Sequence, residues 1–311
     1  MKRKVLMLGL ALSLALLSGC GKQATLKVYE YAGANDDNTI FDYTGEVYEE
    51  AEVLVKDTPE EKRTFVFQGT EYELNYEETE QRQFFSYAEH FYTDAANAGV
   101  AMAFRDDTNQ LTKVTSQAGI KLASATVPVT EADFRAAADM LLKDYLKPEE
   151  YTCTCVTEVS HFTEDGEIGS RWYETKECFY DEAVEGETKQ YVFTYTKYLD
   201  GFRTSDAAEV TFYADGTLSS MQLLNIGAFD VVKEVGVSEK GFETAIEEKL
   251  LQICKDGYQI EDFRQESILG IESSGKLFFV VSARPTVSAV AARTVSGEVS
   301  EETCIFIVTV E

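Results

Sequence analysis

Two eleven-residue stretches, 108 residues apart, share one pattern, and that repeat limits the folds open to this chain more than any other feature. Val127-Pro-Val-Thr-Glu-Ala-Asp-Phe-Arg-Ala-Ala137 and Val235-Gly-Val-Ser-Glu-Lys-Gly-Phe-Glu-Thr-Ala245 both read V-x-V-[ST]-E-x-x-F-x-x-A. The match continues backwards at the same spacing, pairing Gly119 with Gly227, Phe104 with Phe212, Met102 with Val210 and Tyr87 with Tyr195. Self-similarity at a fixed period marks a supersecondary unit used more than once. Each copy reads as a β-hairpin, a linking strand and a capped helix. Thr130 with Asp133 three residues on is an acidic capping box. Phe134, Ala137, Ala138, Leu141 and Tyr145 then form one apolar stripe at helical spacing. The second helix starts at Ser238 and carries Phe242, Ala245, Ile246, Leu250 and Ile253.

Meanders follow both helices. Asp165-Gly166 is a hairpin turn between Tyr151–Phe162 and Ile168–Tyr180, and Gln190–Leu199 adds a third strand. The expected fold class is therefore α+β: antiparallel β-meanders, each covered by one amphipathic helix, at about 130–146 and 238–255. The chain divides into a segment 1–19, an N-terminal β-rich domain 20–128 and a C-terminal α+β region 129–311.

The first nineteen residues have a separate logic. Lys2-Arg3-Lys4 precedes an apolar run from Val5 to Leu17, and Leu17-Ser18-Gly19-Cys20 closes it. A basic start, a short apolar stretch and small residues at a cleavage point are the layout of an export signal peptide. The run has 13 residues, against roughly 20 for a membrane span. The ending resembles the bacterial lipoprotein signal. That resemblance implies acylation of Cys20, cleavage before it, and a mature chain held to the extracytoplasmic face of the cell membrane by lipid.

The charge points the same way. The chain carries 28 basic and 55 acidic residues, a net −27 that becomes −30 without the three basic residues of the signal. A field of that sign repels nucleic acid and anionic lipid surfaces, so no nucleic-acid partner is expected. The 292 residues from Cys20 onward suffice for a real core.

With Cys20 assigned to lipid, Cys153, Cys155, Cys178, Cys254 and Cys304 remain, an odd number. A hairpin centred on Asp165-Gly166 sets Cys153 opposite Cys178 and Val159 opposite Trp172. A cross-strand pair lies within disulfide reach, so Cys153–Cys178 is a candidate disulfide. The alternative, five small buried thiols, stays open, and a slipped turn would bring Cys155 to the second strand instead.

Motifs for other chemistry are incomplete. His161 lies six residues from Cys155, about 20 Å along a strand, too far to share a metal. Gly270-Ile-Glu-Ser-Ser-Gly-Lys276-Leu277 nearly spells a phosphate-binding loop. It lacks the final hydroxyl and runs into a strand instead of a helix, so a hairpin turn is expected. Asp36-Asp37-Asn38 and Asp106-Asp107-Thr108-Asn109 lack EF-hand spacing. Neither a metal nor a cofactor is expected, and no catalytic residue is assigned.

Tyr195-Thr-Lys-Tyr-Leu-Asp200-Gly201-Phe202-Arg-Thr204, followed by Glu209-Val-Thr-Phe-Tyr-Ala-Asp215-Gly216-Thr-Leu218, resembles the PepSY-like extracytoplasmic modules of bacteria. The resemblance covers about 130–224, with echoes in 87–114 and 238–311. It implies a non-enzymatic module that binds or regulates a protein partner at the envelope, and it carries over no functional residue. Two other classes remain: a solute-binding lipoprotein of a transporter, which would need βαβ units, and a surface hydrolase with an unrecognised carboxylate site.

Overall fold

The computed structural model describes residues 24–31, 40–43, 45–48, 55–81, 85–97, 99–123, 127–161, 172–180, 182, 187–272, 274–289 and 300–311. In chain order the elements are β1 (Leu26–Glu30), β2 (Lys62–Phe67), β3 (Thr70–Gln81), β4 (Ala88–Asp94), β5 (Val100–Arg105), β6 (Leu111–Ile120), α1 (Glu131–Leu142), β7 (Thr152–His161), β8 (Trp172–Lys176), β9 (Glu187–Leu199), β10 (Phe202–Tyr213), β11 (Leu218–Leu224), α2 (Glu239–Ile253), β12 (Tyr258–Ile271), β13 (Leu277–Ala289), β14 (Ser300–Glu301) and β15 (Cys304–Val310).

All fifteen described strands join one hydrogen-bonded sheet. Its main path runs β1-β15-β13-β12-β10-β11-β6-β5-β4-β3-β2; β9 branches from β10 and carries β7 and β8, and β14 pairs with β13. This corrects the expected fold class. The molecule is dominated by one large mixed sheet with two α-helices among the described residues, not by repeated helix-covered meanders. The physical reason is coverage. Strands β2 to β11 form a ten-stranded body that curls on itself, so that Phe65 of β2 meets Phe104 of β5, three strands away, at 5.0 Å. A twelve-residue helix is about 18 Å long and can shield about four strands. The rest of the core is enclosed by the curl of the sheet and its own aromatics.

In the first core, α1 starts at Thr130, whose Oγ1 accepts from the Asp133 N–H while Asp133 accepts from the Thr130 N–H. Its Phe134 ring meets Tyr191 at 4.9 Å and Phe212 at 5.6 Å. Away from the helix, Phe65 and Tyr92 pack edge-on against Phe104. The Arg63 guanidinium lies 3.7 Å from the centre of the Phe104 ring and lids that end.

The second core gathers α2 with β12, β13 and β15, and Phe242 meets Phe279 at 4.5 Å. Its edge strand is β1, antiparallel to β15, with Val28 opposite Val308. The first strand of the chain thus completes the core built from the last ones, while the first core spans Phe67 to Leu223.

One buried ion pair fixes β1 to α2. Lys249 Nζ donates to Glu30 Oε1 at 2.9 Å, and the same oxygen accepts from the Gly45 N–H. A methyl group on Gly45 would sit 2.4 Å from that oxygen and 2.5 Å from Lys249 Nζ, so a side chain there would have to displace the buried ion pair. No described helix is long and apolar enough to cross a membrane.

Candidate functional site

The two cores meet at a bulge in β10. Arg203 pairs with Tyr198 of β9, but the next pair is Ala207 with Thr196, so Thr204, Ser205 and Asp206 face the single residue Lys197. At this irregularity β10 turns to a new neighbour: Thr204 pairs in parallel with Leu269 of β12, the one ladder position joining the cores among the described residues. Bulges redirect strands and re-aim side chains in this way. The Thr204 hydroxyl donates to the Lys197 carbonyl at 2.8 Å and holds the bulge closed.

The bulge buries a carboxylate. Asp206 is fully enclosed. Its Oδ1 accepts from the Tyr151 hydroxyl at 2.6 Å and its Oδ2 from the Gly227 N–H at 3.0 Å. Lys197 Nζ stands 3.9 Å from Oδ2 and also pairs with Asp230 and Glu150. Burial pushes the Asp206 carboxyl up to about 6, although the Tyr151 hydrogen bond and the Lys197 charge oppose that rise. Burial likewise lifts the Tyr151 phenol far above its usual range, helped by the bond to Asp206. A raised carboxyl is a familiar mark of a general acid. Here both oxygens are taken by protein donors and none of the side chain reaches solvent, so the group braces the joint and is closed to a substrate.

Beside the bulge lies an open groove of about 450 Å³ between the β9–β10 hairpin, the first turn of α2, and β12. The hairpin tip is Asp200-Gly201, both at positive φ (50° and 86°), as a two-residue type I′ turn requires. Asp200 accepts from the Val235 N–H at 2.7 Å, which ties the strap leading to α2 against the groove. The floor is aromatic: Phe202 meets Phe242 at 5.7 Å and Phe279 at 4.9 Å. Tyr198 on the rim is half exposed. Gln265 Oε1 is buried with no hydrogen-bond partner among the described residues.

The residues singled out from sequence lie elsewhere. Cys20 and Asp36-Asp37-Asn38 fall outside the described residues, as does the Asp165-Gly166 turn. Beyond that turn the observed register is His161 with Trp172 and Thr157 with Lys176, two residues away from the expected one. Cys153 therefore does not face Cys178. It pairs with Tyr195 of β9, and Cys153, Cys155, Cys178, Cys254 and Cys304 are all free thiols. Continued past Lys176, the observed register would bring Cys155 to Cys178, but the chain leaves the ladder first. The Thr157 hydroxyl donates to the Cys178 carbonyl and accepts from the Tyr180 N–H, folding that segment over β7.

His161 sits between Glu187 and Glu174, at 3.4 and 3.6 Å. Among the described residues no group of three or more His, Cys, Asp or Glu is placed to hold a metal ion. In the turn after β5 the carboxylates are committed within the protein. Asp106 accepts from the Lys56 and Ala88 N–H groups, and Asp107 takes both oxygens to Arg105. Residues 270–277 close the β12–β13 hairpin, with the Glu272 N–H donating to the Lys276 carbonyl.

No protein-family model matches the chain, and no curated protein matches it. Among solved structures it is similar to the Bacillus megaterium YpeB C-terminal domain, with 13% identity, 74% of this chain and 88% of that chain covered, and a TM-score of 0.29. It is also similar to an uncharacterized protein from Eubacterium rectale, with 8% identity, 75% and 72% covered, and a TM-score of 0.31. Likeness at this level assigns neither a fold family nor a function to the chain.

Proposed function

We propose that this protein is a lipid-anchored, extracytoplasmic binding or regulatory module with PepSY-like character, and that it acts without catalysis by taking a segment of a protein partner into the groove beside the β10 bulge. The observation that carries this reading is the chemistry of that groove. Its floor is aromatic, its rim holds a half-exposed tyrosine, and Arg203, Glu239, Glu243 and Gln265 line its walls. Aromatic faces can bury apolar side chains of an incoming segment, while the polar walls can pair with its backbone and charges. The adjacent carboxylate of Asp206, by contrast, is saturated by the protein itself.

The test is a photo-crosslinking amino acid at Tyr198 in cells, followed by analysis of membrane fractions, with a matched probe at exposed Val66 on the far body. A discrete protein adduct at Tyr198, absent at Val66 and lost on Gln265→Leu, is the expected result. A diffuse or identical pattern at the two positions overturns the reading. Cys20→Ser tests the anchor separately: it should release the protein from membranes, and a variant that stays bound refutes lipidation at that residue.

A further inference from the structure

On the sheet face of the second core turned away from α2, β12 and β13 set Arg264 directly opposite Arg284. Like charges facing each other across an antiparallel pair repel. Both side chains are exposed, so water and salt screen part of that repulsion, and an anion between the two would remove the rest. Nothing described does so: neither guanidinium has an ion pair or a hydrogen bond among the described residues. That is unusual in a chain with twice as many acids as bases. Asp262 and Glu266 share the face, but each lies two residues along β12 from Arg264, opposite Thr286 and Ser282, about 7 Å away along the strand.

The two arginines, with Glu266, Ser282 and Thr286, line a pocket of about 130 Å³. That is roughly the liquid volume of four water molecules, enough for a small ion and too little for a cofactor. The guanidinium fork matches the oxygens of carboxylate and phosphate. The Ser282 and Thr286 hydroxyls flank the arginine pair along β13 and can donate to the remaining oxygens.

We propose that Arg264 and Arg284 together form a binding site for a small oxyanion, a phosphate or carboxylate group seated between the two guanidinium forks. This site lies on the opposite face of β12 from the groove and stands or falls independently of it. An oxyanion between the arginines would cancel what solvent leaves of their repulsion and take both guanidinium forks at once.

The test uses the full-length protein at constant ionic strength set with chloride, titrated with inorganic phosphate in one arm and acetate in the other. Binding is read by calorimetry and by the thermal midpoint. Saturable binding in either arm is expected, with the stronger arm identifying the oxyanion class, and Kd should rise at least tenfold in Arg264→Gln and in Arg284→Gln. In chloride alone each variant should unfold at the same or a higher temperature than the parent, because a repulsion has been removed. Three outcomes overturn the proposal: no saturable binding of either anion, variants that bind as tightly as the parent, or variants less stable than the parent in chloride. The last would show that the guanidinium is already neutralised within the fold.

Discussion

Replacing Asp206 with Asn should change how stability depends on pH, and in the direction opposite to an ordinary paired carboxylate. The Asp206 carboxyl titrates at about 6 in the folded protein against 3.8 for the free side chain. Between those two values the native state binds the proton more tightly than the unfolded chain does. Stability from this group is therefore highest below pH 4, falls as pH rises through the window from 4 to 6, and levels off near pH 7. A difference of 2.2 pH units corresponds to about 3 kcal/mol in full. Between pH 4.5 and 7.5 the share that appears is about 2 kcal/mol by the same linkage relation. The Asn side chain keeps the shape and removes the charge, and Lys197 retains Asp230 and Glu150 as partners.

The measurement is the difference in unfolding free energy between Asp206→Asn and the parent, from urea titrations at the two pH values. The other titrating carboxylates are common to both proteins and cancel in that difference. The variant should gain about 2 kcal/mol on the parent between pH 4.5 and pH 7.5. A difference that stays flat, or that moves against the variant as pH rises, would refute the account of a carboxylate held unfavourably ionised at the joint.

Other substitutions test the packing. Lys249→Ala should cost about 3–5 kcal/mol, because it leaves Glu30 buried and unpaired (side-chain exposure 4%). The double change Glu30→Met with Lys249→Leu should recover most of that loss in the same urea assay. Gly45→Ala should also destabilise, since its methyl would push against Glu30 and Lys249, and hydrogen exchange should show the loosening at β1 before β6. Phe242→Ala should cost about 3–5 kcal/mol, with exchange rising in β12 and β13 more than in β4 and β5. Burial pushes the Cys155 thiol up to about 12 and the Cys304 thiol up to about 11, so at pH 8 exposed Cys178 should alkylate first. A non-reduced peptide map should contain no Cys153–Cys178 link.

What the sequence made legible was local. The α1 start was readable because Thr130 and Asp133 satisfy each other's backbone groups within one turn, and the α2 start because Ser238 Oγ accepts from the Gly241 N–H. The β9–β10 turn was readable because Asp200-Gly201 supplies two positive-φ residues in a row. The cysteine register failed for an equally physical reason. A register shifted by two residues leaves every side chain on its expected face, because strand alternation has a period of two. Burial pattern therefore cannot tell the two registers apart, and only the partner across the strand changes.

The joint between the cores was illegible because its determinants are distant and individually ordinary. Asp206 is one of 55 acidic residues, and its partners Tyr151 and Gly227 lie 55 and 21 positions away. What distinguishes it is the surplus of residues in β10 against β9, and a surplus exists only relative to a pairing the chain does not announce. β11 pairs with β10 only from Ala207 to Phe212, so the stretch at the bulge keeps an edge, and Thr204 offers it to Leu269 of β12. The flaw in the β9 ladder thus lies where β10 passes from β11 to β12, at the joint between the two cores. The buried carboxylate, which costs stability at neutral pH, sits where Tyr151, Gly227 and Lys197 can hold that flaw in one conformation. On this argument, Thr204→Val, which removes the hydroxyl closing the bulge onto Lys197, should loosen the groove and both core edges together, while leaving β2 and β3 untouched.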